Sequence, residues 1–167
     1  MALPVEAAPV SLERRDAAAL WALDRLCFTD DIAFSLGTFR RLLRDQRLVG
    51  FWIGSGGVES AVKGGADGGP QSLVAFVMAL REKSSADIVT LDVHPGHRRR
   101  GLGRALLRHL HAALRRSGTR EVTLQVAEDN VGAQELYRDE GYAAVGVTRS
   151  YYGSRRDAVL MRLVLNK

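Results

Sequence analysis

The apolar positions in the first 45 residues predict two helices. Across 12–27 they recur every three or four residues, which is the spacing of one helical face. Ser11 precedes this segment and is the expected N-cap. After a short acidic turn, Thr38 is the expected cap of a second helix whose apolar stripe begins at Phe39. Both helices are therefore predicted to bury one face against another layer of the fold.

Later segments of the chain predict strands, because they are short and rich in apolar, β-branched and aromatic residues. These segments are 48–53, 73–80, 86–93, 121–126, 142–148 and 158–165. Helical patterns over 101–117 and 130–139 separate the third strand from the fourth and the fourth from the fifth. The polar face of the longer helix is expected to consist of Arg104, Arg108, His111 and Arg115. Hairpins on both sides of a strand-helix-strand-helix unit predict a mixed α/β sheet with helices on both faces.

The chain has 167 residues and one cysteine, Cys27. This length fits a single domain spanning 1–167, and one thiol allows neither an intramolecular disulfide nor a multi-thiolate zinc site. Seven of the 17 glycines lie in 54–69, so this segment is predicted to be a flexible loop. The sequence contains neither a secretory leader nor a long apolar run, and we expect a soluble, cytoplasmic protein that does not contact a membrane.

Positive charge is concentrated in one segment of the chain. The formal net charge is +5, and residues 93–120 contain eight arginines and no acidic residue. The remainder has 16 basic residues against 19 acidic ones. This distribution favours a compact polyanionic ligand over a nucleic acid, although a nucleic-acid binder built on the arginine segment stays as an alternative. No metal site is expected. His94 and His97 lie in a predicted turn, and His109 and His111 lie on different faces of a predicted helix, so neither pair provides converging ligands.

The segment from Arg98 to Leu107, Arg-Arg-Arg-Gly-Leu-Gly-Arg-Ala-Leu-Leu, joins a predicted strand to a predicted helix. Backbone N–H groups at a helix N-terminus are unpaired, and the helix dipole attracts phosphate there. Gly101 and Gly103 lack Cβ atoms where a pyrophosphate would approach the backbone. The segment therefore predicts a diphosphate site, although a basic surface helix has the same pattern.

In this segment the chain resembles the GNAT superfamily of N-acetyltransferases. Arg98-x-x-Gly101-x-Gly103 matches the Gln/Arg-x-x-Gly-x-Gly/Ala signature that binds acetyl-CoA in that superfamily. The resemblance implies the GNAT fold, a mixed and mostly antiparallel sheet of about seven strands with helices on both faces. It also implies acetyl-CoA as co-substrate. The implied cofactor-binding residues are Leu91, Asp92, Val93, Arg98, Arg99, Arg100, Gly101, Leu102, Gly103, Arg104, Asn130 and Tyr137.

The C-terminal half is most similar to the ribosomal-protein-alanine and N-terminal protein acetyltransferases within that superfamily. The residues that carry this resemblance are Leu124-Gln125-Val126, Asn130, Ala133, Leu136-Tyr137, Gly141-Tyr142 and Arg149-Ser150-Tyr151-Tyr152. It implies a protein or peptide α-amine as acceptor and Tyr137 as the proton donor to the leaving thiolate. From spacing alone, Tyr137 equally fits an aromatic residue on the buried face of a short helix.

Gln125 departs from the subfamily pattern, which commonly has Glu or His at this position for deprotonation of the amine. An amide has no basic lone pair near neutral pH. Other superfamily members have a carboxylate six residues before the position of Val93, which is Asp87 here. Strand alternation places Asp87 on the same face as Leu91 and Val93. We therefore expect Asp87 to act as base, with Gln125 orienting a water, unless Asp87 merely begins the strand at the surface.

The acceptor is expected to bind among four aromatic residues of two loops: Phe28, Phe34, Tyr151 and Tyr152. The alternative is that these side chains pack in the core or in the loops themselves. An α-amine has a pKa of about 8 and lysine about 10.4, so an α-amine tolerates the loss of a strong base better. A small-molecule amine or a lysine side chain remains an alternative acceptor. Binding of acetyl-CoA without catalysis, as a sensor, is the alternative that Gln125 suggests.

Overall fold

The computed structural model describes residues 8–55, 73–153 and 155–166. Most of the predicted flexible loop, 56–69, lies outside the described residues. The helices are α1 (Ala17–Cys27), α2 (Leu36–Leu42), α3 (Leu102–Arg116) and α4 (Val131–Asp139). The strands are β1 (Val10–Ser11), β2 (Leu48–Gly54), β3 (Leu73–Glu82), β4 (Ser85–Val93), β5 (Glu121–Ala127), β6 (Ala143–Thr148) and β7 (Ala158–Val164).

The seven strands form one sheet in the order β1-β2-β3-β4-β5-β7-β6. Every neighbouring pair is antiparallel except β4 and β5, which are parallel and are connected through α3. This confirms the predicted mixed, mostly antiparallel sheet. A parallel pair needs a crossover connection, and the strongly amphipathic segment 101–117 supplies it.

Helices cover both faces of the sheet, as the sequence predicted. On one face α3 contributes the fully buried leucines Leu106, Leu107, Leu110 and Leu114. On the other face α1 and α2 pack Leu20, Leu23 and Phe39 against Phe76 and Met78 of β3. The central strands are therefore apolar on both faces, and the polar residues that remain there need a specific explanation.

The N-terminal helices begin at different residues from those predicted. Ser11 lies in β1 opposite Phe51, because the chain before α1 is extended and adds an edge strand to the sheet. The N-cap of α2 is Ser35, whose Oγ accepts the Thr38 N–H at 3.1 Å. Thr38 is thus inside the first turn, and the predicted cap was three residues late.

The pairing of β4 with β5 is short, and this opens the sheet. It runs from Ser85 opposite Glu121 to Ile88 opposite Leu124, after which the two strands continue without pairing to each other. A wedge therefore forms between the carboxyl-terminal halves of two adjacent strands. Parallel strands that separate in this way leave backbone N–H and C=O groups free for a ligand.

A β-bulge in β4 changes which side chains share a face. Met78 of β3 lies opposite Thr90, but the next residue, Ala79, lies opposite Ile88, so Val89 is an extra residue. Val89 packs with the α1 and α2 side, and Leu91 returns to the α3 side. The bulge reverses the alternation. Asp87 therefore does not share a face with Leu91 and Val93, and the expected alternation was wrong.

His111 is buried, although it was expected among the arginines of α3. It is 4% exposed, and its Nε2 lies 2.8 Å from the Tyr142 hydroxyl. Burial, with a smaller contribution from the Arg115 charge, lowers the pKa of His111 to about 4. The imidazole is therefore neutral at pH 7, and its Nε2 and the Tyr142 hydroxyl share one buried hydrogen bond. Helical periodicity did not reveal that Tyr142 covers this position.

The buried His111 predicts a loss of stability in acid. An unfolded histidine has a pKa of about 6.5, whereas folded His111 resists protonation until about pH 4. The contribution of His111 to the free energy of unfolding is thus fully present above pH 6.5 and decreases as pH falls toward 4, by on the order of 2 kcal/mol. Urea unfolding of wild type and His111→Gln at pH 7 and 4.5 measures this difference. We expect the free energy of unfolding to decrease less between pH 7 and pH 4.5 in His111→Gln than in wild type. The control variant His109→Gln should show the same decrease as wild type. Equal decreases in all three proteins would contradict this account.

Candidate active site

A cleft of about 870 Å³ lies where β4 and β5 separate, within the range of about 300–1,000 Å³ typical of small-molecule sites. Its walls come from the loop after α1, the end of β4, the start of α3 and α4. The predicted residues that line it are Phe28, Leu91, Asp92, Val93, Arg98, Arg99, Gly101, Leu102, Gly103, Arg104, Asn130 and Tyr137. The cleft thus brings together most of the predicted cofactor residues.

Other predicted residues lie outside the lining of this cleft. They are Arg100, Asp87, Gln125, Phe34, Tyr151 and Tyr152. Arg100 lies in the exposed turn before α3, Tyr151 and Tyr152 lie in the β6–β7 loop, and the other three lie on the side of the sheet that α1 and α2 cover.

The turn between β4 and α3 is shaped to bind an anion. Arg99 and Gly101 both have left-handed backbone conformations, with φ of 63° and 81°. Gly101 is the N-cap of α3, so the N–H groups of the first helical turn have no helical partner. Left-handed residues within such turns gather N–H groups into a concave anion site. The geometry agrees with a diphosphate site at residues 99–104.

Gly103 has a packing role that differs from the expected one. A Cβ atom at this position would lie 3.1 Å from Leu136 Cδ2 and 3.7 Å from Val93 Cγ2. The missing side chain thus allows α3 to approach α4 and the end of β4 closely. Both neighbouring side chains line the cleft, so Gly103 shapes its wall rather than leaving open space beside a ligand.

The arginines of α3 are partly neutralised by α4. Arg104 contacts Asp139 and Glu140 at 3.0 Å each, and Arg108 contacts Glu140 at 3.0 Å. The Arg98 Nε instead donates to the Val93 carbonyl at 3.1 Å. Arg99 and Arg100, by contrast, are exposed and have no ion pair with another described residue. Positive charge that no described carboxylate neutralises therefore remains at these two positions of the turn, of which Arg99 lines the cleft.

Tyr137 reaches the cleft from α4. It is 6% exposed, and its hydroxyl makes no hydrogen bond to another described residue. Burial raises its pKa above the ordinary value of 10. The phenol therefore keeps its proton across the working pH range. Asn130, also on the cleft, caps α4 as predicted by accepting the Ala133 N–H through Oδ1 at 3.2 Å.

Asp87 and Gln125 lie together on the α1 and α2 side of the sheet. Asp87 Oδ1 accepts a hydrogen bond from Thr123 at 2.9 Å, and Gln125 Oε1 accepts one from Thr148 at 3.2 Å. Burial raises the pKa of Asp87, although the Thr123 hydrogen bond opposes this shift. Burial and, to a smaller extent, the negative charge of Asp87 raise the pKa of Tyr151. These contacts place the predicted base beside an aromatic residue of the β6–β7 loop.

The predicted aromatic acceptor residues divide into two kinds. Phe34 packs edge-on against Phe39 at 5.9 Å between ring centroids, as part of the α1 and α2 layer. Tyr151 and Tyr152 stack edge-on at 4.8 Å, and Tyr152 donates to the Gln125 carbonyl at 3.3 Å. Phe28 lines the cleft. Among the four aromatic residues, Phe34 is mainly a packing residue, because its ring lies against Phe39.

Two features of the site were missed by sequence reasoning. Asp24 was not predicted, and Asp92 was predicted only among the cofactor-binding residues; both are buried acids, each 1% exposed. Arg156, from the β6–β7 loop, contacts Asp129 at 3.0 Å and Asp31 at 3.8 Å and so bridges two loops beside the cleft. Periodicity marks α1 as amphipathic, but it does not reveal which distant carboxylates a buried or bridging side chain meets.

Comparison with known proteins identifies the family. Residues 17–142 match the sequence model of the acetyltransferase (GNAT) family. The chain belongs to the GNAT acetyltransferase family. The sheet, the wedge between β4 and β5, and the glycine turn before α3 are therefore the GNAT fold in this chain, as the sequence resemblance implied.

Curated relatives include N-acetyltransferases. The chain is 33% identical over 97 residues to the [Ribosomal protein bS18]-alanine N-acetyltransferase of Escherichia coli (strain K12), covering 56% of this chain and 66% of that protein. It is 43% identical over 77 residues to the N-alpha-acetyltransferase RimI of Mycobacterium tuberculosis, covering 46% of this chain and 47% of that protein. The chain thus aligns with slightly less than two thirds of the first relative and about half of the second.

Solved structures align over nearly the full chain. The ribosomal-protein-S18-alanine N-acetyltransferase from Escherichia coli superposes with a TM-score of 0.79 at 26% identity, covering 95% of this chain and 94% of that one. Arabidopsis thaliana NAA60, in complex with a bisubstrate analogue, gives a TM-score of 0.74 at 22% identity, with coverages of 95% and 97%. The second likeness concerns the fold alone.

Within 8–55, 73–153 and 155–166, no helix has the length and apolar character needed to cross a membrane. The same part of the chain contains no group of three or more side chains arranged to hold a metal ion.

Proposed function

We propose that this protein transfers the acetyl group of acetyl-CoA to the N-terminal α-amine of a protein or peptide. The observation that carries the proposal is one cleft that combines an anion-binding turn, unpaired ends of β4 and β5, and the buried Tyr137. Likeness to the Escherichia coli and Mycobacterium tuberculosis N-terminal acetyltransferases supports the choice of acceptor.

Acetyl-CoA fits the cleft in one direction. Its pyrophosphate would accept hydrogen bonds from N–H groups at the start of α3, with Arg99 and Arg100 adding charge-assisted contacts. Its pantetheine arm would bind unpaired backbone groups of Leu91–Val93 in the wedge, where β4 has no partner on its β5 side. The thioester then lies near Tyr137, and an N–H near Val93 would stabilise the oxyanion formed on attack.

The acceptor amine must lose a proton before it attacks. An α-amine with a pKa of about 8 has an appreciable neutral fraction near pH 7.5, unlike lysine with a pKa of about 10.4. Asp87, whose pKa burial raises toward that of the amine, would accept the proton through a water that Gln125 orients. This assignment is supported by the position of Asp87 and Gln125 beside the β6–β7 loop, on the sheet face opposite α3.

Tyr137 would act on the leaving sulfur. Because burial raises its pKa, the phenol remains protonated and donates a hydrogen bond as the C–S bond breaks. A thiolate whose conjugate acid has a pKa of about 8.5 is a weaker base than tyrosinate. The hydrogen bond, rather than complete proton transfer from Tyr137, therefore supplies the stabilisation.

Gln125 favours one second candidate function, an acetyl-CoA sensor with little catalysis, because an amide cannot take a proton. Small-molecule amine or lysine acetylation would use the same acetyl-CoA half of the cleft. These candidates differ from the proposed function only in turnover and in the acceptor.

Two glycines of α3 provide a matched test of acetyl-CoA binding. Gly101 and Gly118 have nearly equal positive φ, 81° and 83°, at opposite ends of the helix. Substitution by alanine strains each by about 1–2 kcal/mol. We expect both variants to lose similar stability, while Gly101→Ala alone weakens acetyl-CoA binding roughly tenfold or more, a change of about 1.4 kcal/mol. Calorimetric titration measures the affinities, and equal affinities would place the pyrophosphate elsewhere.

Acceptor preference tests the proposed function directly. Short lysine-containing peptides with free or formylated N-termini, together with a polyamine, are incubated with acetyl-CoA, and mass spectrometry locates the acetyl group. We expect transfer to free N-termini and none to the blocked peptides. Transfer to lysine or to the polyamine alone would replace the proposed acceptor, and acetyl-CoA binding without any transfer would favour the sensor.

Tyr137→Phe isolates the leaving-group interaction. The substitution removes one hydroxyl that has no hydrogen-bond partner among the described residues, so folding should be little affected. We expect kcat to fall roughly a hundredfold with the acetyl-CoA Kd nearly unchanged. Single-turnover kinetics and calorimetry measure the two quantities. An unchanged kcat under conditions where chemistry limits turnover would remove Tyr137 from this role.

A further inference from the structure

Two buried carboxyl groups meet between α1 and the end of β4. Asp24 Oδ2 accepts the Phe34 N–H at 2.6 Å, and Asp92 Oδ1 accepts the Thr90 hydroxyl at 2.5 Å. The remaining oxygens, Asp24 Oδ1 and Asp92 Oδ2, receive no donor from the other described residues. Asp24 and Asp92 thus each keep one buried oxygen without a donor, and they lie close enough for each carboxyl group to shift the pKa of the other.

One shared proton accounts for this arrangement. Two ionised carboxylates in a site from which water is excluded repel each other, and each would leave one oxygen without a donor. If Asp92 carries a proton, its Oδ2 donates to Asp24 Oδ1 and both oxygens are satisfied. Asp24 is the member of the pair that stays ionised, because the Phe34 N–H stabilises its negative charge. Burial raises the pKa of both acids, and for Asp92 the Asp24 charge raises it further.

The groups that face the pair favour one net negative charge. Cys27 of α1 and Tyr137 of α4 are neutral, because burial raises the pKa of Cys27 to about 12 and the pKa of Tyr137 above 10. Arg98, from the turn after β4, is the charged group that faces Asp92. Its positive charge balances one carboxylate and does not balance two.

The pair connects the two halves of the cleft. Phe34 belongs to the α1–α2 loop, 28–35, and Phe28, Thr29 and Ile32 of that loop line the cleft. Asp92 belongs to the end of β4, which also lines the cleft. The hydrogen bonds from the Phe34 N–H through Asp24 to Asp92 thus fix the loop relative to the strand.

We propose that Asp24 and Asp92 form a proton-sharing pair that positions the α1–α2 loop for the acceptor, so that acceptor binding, but not acetyl-CoA binding, requires the shared proton. The kinetic part of this inference rests on the proposed function. Both acids are positioning residues, because they act through the loop.

Asp92→Asn is the conservative variant. Its amide Nδ2 donates to Asp24 Oδ1 and its Oδ1 accepts from Thr90, so the shared hydrogen bond is kept without a proton that can be lost. Asp92→Ala removes the bond. Asp45→Asn removes a partly exposed carboxyl group that is paired with Arg47 and lies outside the cleft, and this variant is the control.

Structural measurements test the pair without acetyl transfer. Infrared spectra near neutral pH should contain a protonated-carboxyl band in wild type and Asp45→Asn that Asp92→Asn lacks. Because folding raises the pKa of the pair, the contribution of the pair to stability should decrease as pH rises above about 4 through the raised values, so the stability of wild type relative to Asp92→Asn should decrease over this range. Hydrogen exchange of 28–35 should accelerate in wild type relative to Asp92→Asn as pH increases. No carboxyl band, or equal exchange ratios at every pH, would overturn the proposal.

Kinetics then test the consequence for the acceptor. The quantity to compare is kcat/KM for the acceptor, taken as the ratio of wild type to Asp92→Asn. Ionisation of the acceptor amine affects both proteins equally and therefore does not change this ratio. We expect the ratio to fall several-fold from pH 6 to pH 9. Asp92→Ala should raise the acceptor KM several-fold at every pH, while the acetyl-CoA Kd stays within about twofold. A constant ratio, or equal loss of acetyl-CoA affinity, would contradict a positioning role. If wild type acetylates no peptide, the proposed function fails, whereas the infrared and exchange measurements still decide the pair.

Discussion

The structure depends on where the parallel pairing of β4 and β5 stops. Beyond Ile88 and Leu124, each strand presents backbone groups that have no partner on the adjacent strand. Such groups are costly to bury unless something else binds them. A co-substrate with amide groups along an extended arm can replace the missing strand contacts. The broken ladder is therefore both a local weakness of the sheet and the feature that gives the fold a binding site.

Chemical roles are divided between the two sides of this opening. The α3 side provides backbone N–H groups and positive charge at a glycine turn, which suit phosphates. The opposite side provides buried carboxyl groups, Gln125 and two adjacent tyrosines, which suit an amine. The bulge at Val89 produces this division, because it moves Leu91 and Val93 to one face and leaves both Asp87 and Asp92 on the other.

Burial controls the protonation states at the site. Tyr137 stays a phenol and His111 stays neutral because water is excluded from both. Asp24 and Asp92 gain a common proton for the same reason, and this ties loop geometry to solution pH. The ion pairs of Arg104 and Arg108 with α4 act differently, since they connect two helices and reduce the positive field around the turn.

The sequence alone determined the parts that local rules control. Strong periodicity located most helices and strands, Asn130 was recognised as a cap, and the glycine turn before α3 indicated an anion site. These features depend on residues within one or two turns of each other. The family resemblance then indicated the sheet topology and the cofactor half of the cleft.

Tertiary structure decided the features that join distant segments. The bulge in β4 depends on register with β3, so simple alternation placed Asp87 on the wrong face. The burial of His111 depends on Tyr142, thirty-one positions away, and the Asp24–Asp92 contact depends on α1 packing against β4. Local sequence patterns indicate which way a side chain points along its own element. They carry no information about the partner that arrives from another element, and that partner determines the side chain's charge, burial and chemistry.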